Sequence, residues 1–200
     1  VTHKPQTTRH AIQGVLNTAE GQIVFVDTPG IFKDSGGALT KVLTKTVQHS
    51  LEGIDALVYV ADPTRSIGAE ERAILAMVRP LSIPKILVIN KSDLHESEKP
   101  YLEDYRALAD SFDGLFELSA LRSRHIKPLI AEILEQLPEG EPLYDDQQKT
   151  NISDTFWVSE IIREKIFLAM GEEVPYSVSV EVDSMEEREN GKLVITARIL

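Results

Sequence analysis

Along the first 137 residues longer helix-like segments alternate with short apolar runs. Two of them deliver a polar motif at their C-terminal end: Ile23-Val24-Phe25-Val26 runs into Asp27-Thr28-Pro29-Gly30, and Ile86-Leu87-Val88-Ile89 into Asn90-Lys91-Ser92-Asp93. This alternation predicts an α/β domain with a mostly parallel sheet and flanking helices, because parallel neighbours need a crossover between them. Strands are expected over Ala11–Asn17, Gln22–Asp27, Ala56–Ala61, Lys85–Asn90 and Leu115–Ser119. Helices are expected near Leu39–Leu51, Ala69–Val78, Tyr101–Ser111 and Ile126–Leu137, the last with Pro128 in its first turn, where a missing N–H costs little. Ligands of such sheets bind beyond the carboxyl ends of the strands. Both motifs fall there.

Pro138 to Ser153 reads as a polar linker almost without periodicity, which divides the chain into residues 1–138, a linker at 139–153, and a second unit at 154–200. Val158, Ile161, Ile162 and Ile166 have helical spacing within Phe156–Met170, with Ser153 or Asp154 as the cap. Ser177–Asp183 alternates strictly, with Val178, Val180 and Val182 on one face. Asn190-Gly191 then predicts a type I′ hairpin turn into a strand at Leu193–Leu200.

Charge and cysteine content narrow the chemistry. The formal charge is −11, and 14 acidic against 6 basic residues from Glu139 onward place −8 of it in the linker and second unit. Tight nucleic-acid binding by this stretch alone is disfavoured, since phosphate contacts need clustered Lys and Arg. With no cysteine there is neither a disulfide framework nor a thiolate metal site, which fits a cytoplasmic protein. The longest apolar run, Ala56–Ala61, is far short of the roughly 20 residues that span a bilayer. Peripheral membrane association stays open, although no strongly basic amphipathic helix supports it. The five histidines lack metal-ligand spacing, and Trp157 reads most simply as a packing residue.

The two motifs carry distinct chemistry. Asp27, at a strand end, is placed to hold a Mg²⁺-bound water while the backbone N–H of Gly30 meets a γ-phosphate, glycine permitting the close approach. A plain Asp-Pro-Gly turn fits the same residues. The second motif is more specific. Asp93 can accept hydrogen bonds from guanine N1–H and its 2-amino group, Asn90 can bind the base edge and brace neighbouring loops, and the Lys91 stem can lie over the purine. Adenine offers no matching donor pair.

Together these residues resemble bacterial GTPases of the Era family. Gln6-Thr7-Thr8-Arg9-His10 resembles that family's first switch, with Thr8 the better candidate for a Mg²⁺ ligand beside Asp27; Thr7 is the alternative. Asp27-Thr28-Pro29-Gly30-Ile31 resembles its second switch, and Ser119-Ala120-Leu121 the loop whose backbone N–H groups contact the guanine oxygen. Ser159–Lys165 followed by Pro175-Tyr176-Ser177-Val178 resembles the opening of its C-terminal KH domain. The resemblance implies a P-loop-type G domain followed by the first part of an α+β KH domain, with GTP or GDP and Mg²⁺ as cofactors. It further implies a slow GTPase switch that engages small-subunit ribosomal RNA and the 30S subunit during ribosome assembly. Ile31 stands where Ras-like enzymes orient water with glutamine, so no catalytic group is assigned.

Nothing in the chain matches the phosphate loop G-x-x-x-x-G-K-[ST] or the KH clamp Gly-x-x-Gly, and the sequence opens on Val1. It therefore reads as a fragment, expected to lack the strand between those ending at Asp27 and Ala61, and so to bind no GTP by itself. Two alternatives compete with this reading: a non-enzymatic RNA- or protein-interaction module on a degraded G domain, and another GTPase of the same superfamily.

Overall fold

The computed structural model describes residues 12–27, 53–169 and 178–200. Thr8, Gly30, Ile31, the helix expected at Leu39–Leu51 and Pro175-Tyr176-Ser177 lie outside the described residues. The first described elements are an antiparallel hairpin of β1 (Ile12–Asn17) and β2 (Gln22–Asp27), in which Ile12 faces Asp27. A parallel sheet follows in the order β3-β4-β5, with β3 at Leu57–Ala61, β4 at Lys85–Ile89 and β5 at Gly114–Glu117. Helix α1 (Ala69–Val78) makes the first crossover, the short α2 (Leu102–Arg106) lies in the second, and α3 (Ile126–Gln136) follows β5.

β4 is the centre of this part. Ile86 to Ile89 are all at most 2% exposed, as a strand covered on both faces requires. Because side chains alternate across a strand, Leu87 and Ile89 join Tyr59, Leu75, Val78 and Tyr105 on one face. Ile86 and Val88 join Ile23, Leu118, Leu129 and Ile133 on the other. Among the described residues β2 pairs only with β1, and β3 only with β4. A cleft of about 1690 Å³ separates them, lined by both strands, α1, α3 and residues 138–143.

Beyond α3 the chain differs from a loose polar linker. Val15 N–H donates to Lys149 O (2.9 Å), Gln13 N–H to Asn151 Oδ1 (3.0 Å), and Gly14 bridges Thr150 in antiparallel fashion. Gln22 clamps the start of this strap: its Oε1 accepts from Leu143 N–H (2.9 Å) and Tyr144 N–H (3.0 Å), while its Nε2 donates to Tyr144 O (2.8 Å). A segment whose partners are main chain and side-chain amides needs no apolar period.

Helix α4 (Asp154–Ala169) is capped by Ser153, whose Oγ accepts from Phe156 N–H (3.2 Å), so Asp154 takes the first helical position. β6 (Val180–Glu187) and β7 (Leu193–Ile199) form an antiparallel hairpin with an irregularity at Asp183. Its turn corrects the type I′ expectation. Gly191 alone is left-handed there (φ 73°), its N–H donates to Arg188 O (2.8 Å), and Arg188 N–H donates to Lys192 O (2.9 Å). That is a three-residue loop ending on a glycine, not a two-residue turn with both residues at positive φ.

The helix expected over Tyr101–Ser111 is also interrupted. It ends at Arg106, and a short 3₁₀ turn at Ala109–Ser111 carries the chain on. Leu108 and Phe112 thereby reach the core, Phe112 lying 5.8 Å from the Tyr59 ring.

Candidate functional site

Three loops converge at the carboxyl end of the parallel sheet. Asn90 N–H donates to Ala61 O (3.0 Å), Leu118 N–H to Ile89 O (3.0 Å), and Ser92 N–H to Leu118 O (2.9 Å), so the ladder continues past the strands and fixes each loop to its neighbour. Asn90 uses one oxygen as a brace: Oδ1 accepts from Lys91 N–H (2.7 Å) and from Ala120 N–H (3.0 Å). Asp93 is tied to the same loop, its Oδ1 accepting from Ser119 Oγ at 2.5 Å.

Ser119 is fully buried, and its hydroxyl also accepts from Arg122 N–H (3.1 Å). Its own N–H donates to Arg124 O (3.2 Å), so this residue acts here through its side chain. Leu121, by contrast, is 80% exposed at the loop tip. The hydrogen bond from Ser119, helped by the positive field of Arg122 and Arg124, holds the Asp93 carboxyl below its ordinary range against a smaller upward push from desolvation. An ionised carboxylate that only accepts is what two adjacent N–H donors of a ligand require.

Two further groups complete the rim. Lys91 has a left-handed backbone (φ 63°), uncommon for a residue with a Cβ. Its Nζ donates to Asp62 Oδ2 (2.7 Å), at the end of β3. Asp62, Arg122 and Arg124 were not legible as members of this cluster: Asp62 has no motif around it, and the two arginines follow Ser119-Ala120-Leu121 without belonging to its pattern. His125, also left-handed (φ 59°), starts α3 and makes a 2.9 Å hydrogen bond from Nδ1 to Glu117 O.

The structure thus brings Asn90, Lys91, Asp93, Ser119 and Ala120 into one bonded cluster with Leu121 at its edge. Asp27 ends β2 in the separate hairpin, whereas Thr8 and Gly30, the other residues expected around Mg²⁺ and phosphate, lie outside the described residues. Among the described residues no group of three His, Asp or Glu side chains forms a metal cage. The cluster does not line the large cleft between β2 and β3. Its chemistry is therefore a rim of polar groups on strand ends, with acceptors fixed before any ligand arrives.

Comparison with known proteins agrees with this geometry. A family model described as a 50S ribosome-binding GTPase matches residues 1–91. The chain is 38% identical to GTPase Era of Caldicellulosiruptor saccharolyticus over 194 residues, 95% of this chain and 64% of that protein. It is 35% identical to GTPase Era of Nitrosomonas eutropha, covering 98% of this chain and 71% of that one. With GTPase Era of Clostridium kluyveri the identity is 36%, over 100% of this chain and 68% of the relative. The chain therefore spans about two thirds of the length of these relatives. A crystal structure of Era in complex with MgGDPNP and nucleotides 1506–1542 of 16S ribosomal RNA superposes with a TM-score of 0.85 at 30% identity, over the whole of this chain and 68% of that one. A variant of Aquifex aeolicus Era bound to GDP·AlF4⁻ gives the same TM-score and identity. With the strand-end cluster, the parallel sheet and these relatives in agreement, the chain belongs to the Era family of GTPases.

Proposed function

We propose that this chain carries the guanine-reading part of a slowly hydrolysing GTP switch, and that the protein uses the nucleotide state to control binding of small-subunit ribosomal RNA during 30S assembly. The observation that carries the nucleotide half is the double lock of Asp93 on Ser119 and Asn90 on Ala120, which presents an ionised carboxylate at a strand end. GTP and GDP with Mg²⁺ are the ligands implied. Asp93 and Asn90 take the base, Lys91 lies along it, and the Ser119-Ala120-Leu121 loop closes over its oxygen. Asp27, Gly30 and Thr8 serve Mg²⁺ and the γ-phosphate. The RNA half rests on family membership and on the Era complex with 16S ribosomal RNA.

Competition between fluorescent GDP and unlabelled GTP, ATP and XTP on the natural full-length protein tests the nucleotide reading. GTP should displace the probe and ATP should fail by roughly 10⁴-fold, because an adenine leaves the Asp93 carboxylate without donors. Comparable displacement by ATP would remove this cluster from base recognition. A gel shift with the 3′ end of small-subunit ribosomal RNA, with a GTP analogue against GDP, tests the RNA half: equal affinity in both states would sink the switch. No described helix is long and apolar enough to cross a membrane. We place the protein in the cytoplasm, with recovery in the membrane fraction the result that would revise this.

A further inference from the structure

Asp62 directly follows the last residue of β3, and both of its carboxylate oxygens are engaged. Oδ1 accepts from Thr64 N–H (3.0 Å) and from Thr64 Oγ (2.7 Å), which fixes the carboxylate plane within its own turn. Oδ2 accepts from Lys91 Nζ at 2.7 Å, with Arg65 Nε farther off at 3.8 Å. Lys91 is held at its other end as well: its N–H donates to Asn90 Oδ1 (2.7 Å) and its backbone sits in the left-handed region. A lysine stem is ordinarily among the most mobile of side chains. Here it is stretched between two anchors on the same rim as Asp93.

Exposed ion pairs commonly contribute nothing, because two flexible side chains must both be ordered to form them. This pair differs in that Thr64 has already ordered the acid. Burial pushes the Asp62 pKa upward, but the hydrogen bonds from Lys91 and Thr64 outweigh it and hold the group below its ordinary range.

We propose that Asp62 is a positioning residue of the guanine site: by holding Lys91 Nζ it lays the lysine stem along the pocket rim as an apolar wall for the base before the nucleotide arrives. The inference rests on the guanine reading above. Fixing a flexible group in advance raises affinity by removing the ordering that binding would otherwise require.

In the natural full-length protein, Asp62→Asn should weaken fluorescent GDP binding by about 5- to 10-fold, and the GTP analogue by the same factor, since Lys91 addresses the base and not the γ-phosphate. Thr64→Ala, which frees the acid without removing it, should cost roughly 2- to 3-fold. The decisive measurement is the double-mutant cycle. In a Lys91→Met background, Asp62→Asn should add less than about 2-fold, because the residue it positions is gone. An undiminished effect in that background, or unchanged or tighter binding by Asp62→Asn alone, would overturn the inference. Absence of any guanine-nucleotide binding by the unaltered protein would overturn the site reading and this inference together, whereas normal binding with no Asp62 effect overturns the inference alone.

Discussion

Asp93 and Ser119 form a pair with divided roles: the hydroxyl fixes the carboxylate, and the carboxylate faces outward with its remaining acceptor capacity. Asp93→Asn should exchange an acceptor for a donor, weakening GTP and favouring XTP, whose extra carbonyl accepts from the amide. A competition titration with both nucleotides measures the switch, and unchanged selectivity would take Asp93 out of the pocket. Ser119→Ala acts through protonation. The folded-state pKa of Asp93 lies below the ordinary 3.8, so whatever this carboxylate contributes is present above that value and is lost as pH falls through the depressed one. The Asp93 contribution to guanine binding should thus be constant from pH 8 to 5 in the natural protein. In Ser119→Ala the acid limb should move upward, toward the ordinary carboxylate value; an unmoved limb would mean that the hydrogen bond does not set the charge.

At the scale of elements, what could be read from the residues follows how each segment satisfies its backbone. β4 was legible because a strand covered on both faces must be a continuous apolar run, and Ala69–Val78 because its apolar spacing matches the face it buries. The strap at residues 143–151 was not legible. It binds β1 through main-chain groups and Gln13 and β2 through Gln22, and side-chain amides at those positions leave no pattern. The break in the helix after Arg106 was equally hidden, since it serves Leu108 and Phe112 in a core assembled from distant strands. The polar half of the site was legible in Asn90 and Asp93 but not in Asp62, whose partner lies 29 residues away. Ser153→Ala should cost α4 about 1 kcal/mol as a lost N-cap, seen as a lower denaturation midpoint of the C-terminal unit. Gln22→Ala should speed amide exchange at Leu143 and Tyr144 by about tenfold or more, because both N–H groups donate to its Oε1.

Across the whole molecule, the β1–β2 hairpin and the parallel sheet share no strand pairing among the described residues, and α3 packs against residues of both. Leu129 and Ile133 touch a cluster that contains Ile23 from the hairpin and Ile86 and Val88 from the sheet. Ile133→Ala should destabilise the fold by about 2–5 kcal/mol. Exchange protection should fall further in β1 and β2 than in β4, which keeps its partners on both sides; equal losses would place the hairpin's support elsewhere. The strap carries the remaining consequence. Fifteen residues of free chain would let their ends wander over roughly 20 Å, yet with residues 143–151 fastened along the β1–β2 hairpin only Ile152 separates the last bonded residue from the cap of α4. The tether has no slack. What restrains the hairpin therefore also restrains the first turn of α4, with one residue between them.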